Sequence, residues 1–136
     1  MKFLESTFEE YVTSCNKEDL HPELKKLFDK YPDNIDDINN MIFYGPPGSG
    51  KYTQVLSFLS KYSPSNLKYE KKLCIVFNKQ NHYYKISDIH LEVDMSLLGC
   101  NAKLLWHDIF TNLLDIINAS TSKTKIIVCK NFHEIN

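Results

Sequence analysis

The chain lacks several features by which protein classes are recognised. Its formal net charge is only −1 over 136 residues, so no overall basic field indicates nucleic-acid binding. Its four cysteines contain no C-x-x-C pair of the kind used in zinc sites. It has no long apolar stretch, so we expect neither a signal peptide nor a membrane span, and a reducing, intracellular location fits best.

Glycine is also scarce, yet three of the four glycines stand at positions 45, 48 and 50. They belong to the stretch Gly45-Pro46-Pro47-Gly48-Ser49-Gly50-Lys51, which has the spacing of a phosphate-binding loop. Because glycine has no Cβ, the chain can curl tightly and direct successive N–H groups at phosphate oxygens. Lys51 would then reach the β and γ phosphates of a nucleotide. The candidate binding residues are Gly45, Pro46, Pro47, Gly48, Ser49, Gly50, Lys51, Tyr52 and Thr53.

The sequence on either side of the loop agrees with this interpretation. The apolar residues from Met41 to Tyr44 predict a short buried strand before the loop. Apolar residues at helical spacing, from Val55 to Tyr62, predict a helix after it. The loop would therefore join a strand to a helix, and the positive end of the helix dipole would face the phosphates.

The residue after Lys51 departs from the pattern. A phosphate-binding loop normally has a small hydroxyl residue here to bind Mg²⁺, and this chain has Tyr52. A phenol ring is too long and too rigid for that role, and Thr53 is rotated by about 100° around the helix. Thr53 could still touch a phosphate oxygen. We therefore expect nucleotide binding with a doubtful Mg²⁺ site.

Two helices are predicted before the loop. One begins at His21-Pro22-Glu23 and is broken at Pro32, and a weaker one passes through Phe8, Tyr11 and Val12. Both precede the predicted loop strand, and we expect both to pack near the nucleotide pocket.

After the loop, the pattern predicts strands and one long helix. The predicted strands are Leu73–Phe77, Tyr83–Ile86, Ile89–Asp94 and Lys125–Cys129, and the helix extends from Leu104 to Ile117. The third strand alternates apolar and charged residues, so its charged side chains are expected on an outer face. The fourth is apolar throughout, as in a central parallel strand. Together these elements predict an α/β fold with a parallel sheet, flanking helices and a site at the C-terminal ends of the strands.

The other candidate ligands have ordinary explanations. His82, His90, His107 and His133 show no paired ligand spacing, so we predict surface or packing roles and no metal site. Cys74 and Cys129 lie inside apolar runs and are predicted core residues. The lysines at positions 61, 68, 71 and 72 are predicted to form a solvated turn, with a phosphate-backbone contact as the alternative.

The loop Gly45–Lys51 resembles the Walker A motif of AAA+ ATPases, which are P-loop NTPases. The segment Ile89–Asp94, with Gly99, a long helix and Lys125–Val128 after it, resembles more narrowly the small subunits of replication factor C. Those proteins are sliding-clamp loaders of eukaryotes, archaea and large DNA viruses. The resemblance implies a partial AAA+ nucleotide-binding domain at residues 38–136, after an N-terminal helical segment at residues 1–37.

Two departures from the family pattern bear on activity and length. The family places a Mg²⁺-steering Asp and a water-activating Glu after its apolar strand, and the matching residues here are Lys130 and Asn131. Lysine cannot ligate a cation and an amide is a negligible base, so we expect no catalytic residue and weak or absent hydrolysis. The family also has a further strand beside the loop strand, and the chain reaches Asn136 without it. We therefore expect a fragment or interrupted form of a longer protein, with the fold incomplete at the C-terminus.

The resemblance implies a clamp-loader-like subunit that binds ATP in DNA replication, in the nucleus or at a cytoplasmic replication site. Its partners would be other clamp-loader subunits and the sliding clamp, with DNA contacted through the assembled complex. Two alternatives remain open. An active P-loop ATPase of another family would need an acidic metal ligand, for which Asp88, Asp94 and Asp108 are the candidates. A structural or interaction module would keep the fold without nucleotide, although the intact Lys51 argues against it.

Overall fold

The structure is a computed structural model that describes residues 7–77, 79–98, 102–119 and 126–134. The chain divides into two compact units, Met1–Glu70 and Lys71–Asn136, called here the loop unit and the sheet unit. Gly99, Lys125 and the side chain of Ile117, all named above, lie outside the described residues. The domain division after residue 37 follows from the family resemblance and stays a prediction.

The loop unit contains the helices α1 (Phe8–Lys17), α2 (Pro22–Phe28) and α3 (Lys51–Ser60). A capping box starts α1, because Thr7 Oγ1 accepts a hydrogen bond from the Glu10 N–H and the Glu10 carboxylate accepts one from the Thr7 N–H. This cap explains why a helix forms where the apolar pattern is weak. The helices predicted before and after the loop are confirmed, although α2 ends four residues before Pro32.

The segment Met41–Tyr44 is not a strand, so that prediction is wrong. Ile42 is 91% exposed and Tyr44 is 97% exposed. Phe43 instead packs in the aromatic core of the loop unit, with its ring centroid 6.0 Å from that of Phe28. The described strands pair only with one another, so none of them supplies the backbone partners that a strand at residues 41–44 would need.

The sheet unit contains β1 (Lys71–Phe77), β2 (Gln80–Ile86), β3 (His90–Asp94), α4 (Ala102–Ala119) and β4 (Ile126–Lys130). The strand order is β1-β2-β3-β4. The first two neighbouring pairs are antiparallel, and β3 and β4 are parallel. Because Phe77 stands opposite Gln80, the β1–β2 connection is too short to allow parallel strands. The class is α/β, but the sheet is mixed and not parallel throughout as predicted. The described sheet does not by itself show a P-loop NTPase fold.

The core of the sheet unit lies between α4 and one face of the sheet. Leu91 and Val93 of β3 pack there with Leu105, Ile109 and Leu113 of α4. These three helix residues recur every four positions, as expected for one buried face. The buried face of α4 is narrow, because other apolar residues of the helix are exposed, namely Leu104, Phe110 and Leu114.

Strand β3 is buried on both faces, contrary to the expectation that its charged side chains lie on an outer face. His90 is 1% exposed and Glu92 is 5% exposed. The hydroxyl of Ser87 hydrogen-bonds to Nδ1 of His90, and the Glu92 carboxylate lies 3.9 Å from His90 Nε2. Such polar neighbours lower the cost of burying these groups. The alternation therefore predicted which residues share a face of the strand, but not that the face with His90 and Glu92 is also buried.

Strand β4 is an edge strand within the described sheet, where a central strand was predicted. It pairs only with β3, and all five of its residues are half-buried. Cys129 packs against the core, as predicted, and burial raises the pKa of its thiol. Cys74 is exposed on β1, so its predicted core position is wrong.

Candidate functional site

The loop before α3 has the tight backbone conformation that its glycines were predicted to provide. Gly48 and Gly50 adopt φ values of 76° and 85°, in the left-handed region that favours glycine. Gly50 is also the residue at which the chain enters α3, which begins at Lys51. At Gly45, an added Cβ would lie 3.2 Å from Ser49 Oγ. The loop therefore favours glycine at positions 48 and 50 for conformation, whereas a Cβ at position 45 would require Ser49 Oγ to shift by a few tenths of an ångström.

The polar side chains of the loop bond to the loop's own carbonyl groups. Lys51 Nζ donates to the Gly45 carbonyl at 2.6 Å and lies 3.4 Å from the Pro46 carbonyl. Ser49 Oγ donates to the same Pro46 carbonyl at 2.8 Å. The ammonium group is thus folded back over the start of the loop, beside the N-terminus of α3, where the helix dipole also favours an anion.

The side chain of Tyr52 packs against α1. Its ring meets the Tyr11 ring edge-on, with centroids 4.9 Å apart and planes at 81°. Thr53 is half-buried in the first turn of α3. The structure therefore brings all nine candidate binding residues, 45–53, into one loop and helix start. Whether Mg²⁺ binds there stays a prediction.

A segment between α1 and α2 contacts the loop, and no local sequence pattern indicates this contact. The ring nitrogen Nε2 of His21 lies 2.7 Å from the Ser49 carbonyl oxygen. Asp19 Oδ1 accepts hydrogen bonds from the His21 N–H and from Gln54 Nε2, each at 2.9 Å. The bond from the His21 N–H, helped by that from Gln54, lowers the pKa of Asp19. The N-terminal helical segment thus contacts the loop, while the presence of a nucleotide pocket there stays a prediction.

Lys130 and Asn131, which the resemblance aligns with two acidic residues, lie at the carboxyl end of the parallel pair of strands β3 and β4. Asp94 of β3 stands opposite Lys130 of β4, and Asn131 directly follows Lys130. Asp94 Oδ1 accepts hydrogen bonds from Asn131 Nδ2 at 3.0 Å and from Ser96 Oγ at 2.6 Å. Burial alone would raise the pKa of Asp94, but these bonds and the charge of Lys130 hold it below its ordinary value. Asp94, Lys130 and Asn131 are called here the sheet edge.

Two further structural findings concern the described parts of the chain. Residues 7–77, 79–98, 102–119 and 126–134 contain no group of three or more His, Cys, Asp or Glu side chains that could hold a metal ion. The alternative in which Asp88, Asp94 or Asp108 supplies a single acidic metal ligand stays a prediction. Within the same ranges, no helix has the length and apolar character needed to cross a membrane.

Comparison with known proteins did not identify a family. No family model matches the chain, and no curated protein matches it at a significant level.

Proposed function

We propose that the chain is a clamp-loader-like AAA+ subunit that binds ATP through residues 45–53 and hydrolyses it weakly or not at all. The observation that carries this proposal is the position of Lys51. Its ammonium group lies 2.6 Å from the Gly45 carbonyl, at the start of a curled, glycine-dependent loop. A phosphate oxygen would offer this ammonium a charged acceptor in exchange for neutral carbonyls, and charge-assisted hydrogen bonds are the stronger kind.

Weak hydrolysis is supported by the residue types at the sheet edge, where an amide and a lysine take the places of two acidic residues. Asn131 stands where the family has its water-activating Glu, and its amide donates to Asp94. Lys130 brings a positive charge to the position of the metal-steering Asp. In this proposal the backbone of Gly45–Gly50 and the charge of Lys51 bind phosphate, while Thr53 assists and no side chain activates water.

A subunit of this kind would act through its partners. Nucleotide binding can order a subunit interface without hydrolysis, because a ligand shifts a conformational equilibrium by its differential affinity alone. The proposed partners are other clamp-loader subunits and the sliding clamp, with DNA reached through the assembled complex. The proposed place is a nuclear or cytoplasmic site of DNA replication.

The test is equilibrium binding of a fluorescent ATP analogue to the folded full chain, with Mg²⁺ and with EDTA. We expect Lys51→Ala to weaken binding by roughly tenfold or more, because one charge-assisted interaction is lost. Lys61→Ala is the matched control, since Lys61 also donates to two backbone carbonyls of the loop unit, those of Phe28 and Tyr31. We expect it to bind like the wild type.

The outcomes separate the three functional classes. Binding that depends on Lys51 and is indifferent to Mg²⁺ supports the proposal. Strong dependence on Mg²⁺ would favour an active ATPase of another family. If the folded wild type binds no nucleotide, the proposal is refuted and a structural or interaction module is favoured.

A further inference from the structure

The segment Asp19–His21 fixes one peptide group of the loop. His21 lies 28 residues before Ser49, yet its Nε2 is 2.7 Å from the Ser49 carbonyl oxygen. A carbonyl oxygen only accepts hydrogen bonds, so Nε2 must carry the proton and donate. The imidazole is 35% exposed, so the contact is partly shielded from water.

The direction of that carbonyl determines the direction of the next N–H group. The described residues contain no cis peptide bond, and in a planar trans peptide the C=O and the N–H point in opposite directions. When His21 holds the Ser49 carbonyl on its own side, the Gly50 N–H must point away from His21. Backbone N–H groups of this kind are what a phosphate-binding loop offers to an anion.

The peptide between Ser49 and Gly50 needs such an anchor because glycine allows it to rotate. Gly50 adopts φ 85°, and glycine populates positive and negative φ about equally well. A rotation of this peptide by half a turn would exchange the two groups. It would present a carbonyl oxygen, which repels phosphate, where the N–H had been.

His21 is itself held by the helix that the loop leads into. The Asp19 carboxylate accepts from the His21 N–H and from Gln54 Nε2, each at 2.9 Å. Gln54 is 5% exposed and belongs to α3. The backbone of His21 is therefore tied, through Asp19 and Gln54, to the same helix whose N-terminus completes the loop.

We infer that His21 is a positioning residue for phosphate binding: by holding the Ser49 carbonyl, it keeps the Gly50 N–H directed for a phosphate oxygen of the bound nucleotide. This inference rests on the proposed function. It assigns to the 19–21 segment a role that neither the motif nor the family resemblance gives it.

The test compares His21→Ala with His21→Gln in the full chain, using the fluorescent ATP analogue and inorganic tripolyphosphate as a competitor that has no base or sugar. A glutamine amide can donate from a position near that of Nε2. We expect His21→Ala to weaken the binding of both ligands by roughly tenfold, the effect of one hydrogen bond to a charged ligand. We expect His21→Gln to restore most of the affinity. His82→Ala, which removes a half-buried histidine of the sheet unit, is the matched control.

Each outcome has one meaning. If the wild type binds and Lys51→Ala does not, but His21→Ala binds like the wild type, the inference is wrong and the proposed function stands. If His21→Gln is as weak as His21→Ala, donation to Ser49 is not the cause and the inference is again wrong. If the wild type binds neither ligand, the proposed function itself fails.

A second measurement covers the case in which His21→Ala does not fold. The amide resonance of Gly50 in the wild type is followed by NMR as tripolyphosphate is added. We expect a downfield shift of the proton, because the N–H gains a charged acceptor. A Gly50 resonance that stays unchanged while the Lys51-dependent binding saturates would overturn the inference.

Discussion

The loop Gly45–Lys51 and the sheet edge differ in the groups to which their side chains donate hydrogen bonds. In the loop, the Lys51 ammonium donates to backbone carbonyls, chiefly that of Gly45. At the sheet edge, the Asn131 amide donates to the Asp94 carboxylate, and Lys130 adds its charge to the same group. If an anion replaces a carbonyl as partner of the ammonium, the ammonium gains a stronger, charge-assisted hydrogen bond. If Asn131 leaves Asp94, an ionised carboxylate loses a hydrogen-bond donor, which costs free energy.

This difference allows the two regions to be tested separately. In the loop, a phosphate oxygen could take the place of a carbonyl as partner of the Lys51 ammonium. At the sheet edge, the Asp94 carboxylate already accepts hydrogen bonds from Asn131 and Ser96. The predictions below test each region by itself.

The largest expected effect concerns the core on which the sheet edge depends. Leu105→Ala should lower the free energy of unfolding by about 3 kcal/mol, since a buried leucine at 1% exposure is truncated. Leu104→Ala, next to it on α4 but 65% exposed, should change it by less than about 0.5 kcal/mol. Urea denaturation of the two variants makes the comparison. Equal effects would mean that the face of α4 has been assigned wrongly.

The next effect concerns the loop backbone. Gly48→Ala should cost about 1 kcal/mol, because an L-residue is strained at positive φ. Steric contact does not contribute, as nothing lies within 4 Å of a Cβ added there. Gly48→Asn should cost less, since asparagine tolerates this region better. Thermal unfolding of both variants measures which of them is the more stable. If Gly48→Ala is as stable as Gly48→Asn, the positive φ assigned to position 48 is contradicted.

The hydrogen bond between Asn131 and Asp94 can be tested by exchanging the two side chains. Asn131→Asp keeps the side-chain shape but places a second carboxylate about 3 Å from Asp94. We expect a loss of about 1 kcal/mol at neutral pH, moderated by the partial exposure of the site. The double variant Asp94→Asn with Asn131→Asp should recover most of the loss, because amide and carboxylate are only exchanged. Additive effects in this cycle would show that the contact contributes nothing.

The smallest effect is on acid stability. The pKa values of Asp19 and Asp94 lie below the ordinary 3.8 in the folded chain, so the unfolded chain binds more protons as the pH falls. Both carboxylates thus contribute stability above their unfolded pKa, and this is lost as the pH drops through the lower folded value. Asp94→Asn should flatten the decline of unfolding free energy below about pH 4. An unchanged slope in that variant would show that Asp94 is not stabilised in its ionised form.

Local sequence signals predicted much of the fold. The helices follow from their apolar spacing and caps, three strands follow from compact apolar runs, and the strand at Ile89–Asp94 follows from alternation of apolar and charged residues. The sequence could not reveal which strands have neighbours: Met41–Tyr44 has the composition of a strand but no partner in the described sheet. It also could not show that His90 and Glu92 are buried, because alternation gives the two faces of a strand and not what covers them.

The candidate site was predictable only where it is contiguous in the chain. Residues 45–53 form a motif whose spacing carries its chemistry. The contact between His21 and Ser49 joins residues far apart in sequence, and no local pattern indicates it. The bond between Asp94 and Asn131 depends on the parallel register of β3 and β4, which is fixed only when the sheet forms.

³¹P NMR of ATP mixed with the full chain in Mg²⁺ tests nucleotide binding and hydrolysis in one experiment. If the chain binds ATP and hydrolyses it weakly or not at all, the wild type shifts or broadens the β- and γ-phosphate resonances, Lys51→Ala leaves them as in free ATP, and their area falls little over hours. Free-ATP resonances in the presence of excess folded wild type, or rapid growth of an inorganic phosphate signal that disappears in Lys51→Ala, would refute the proposed function.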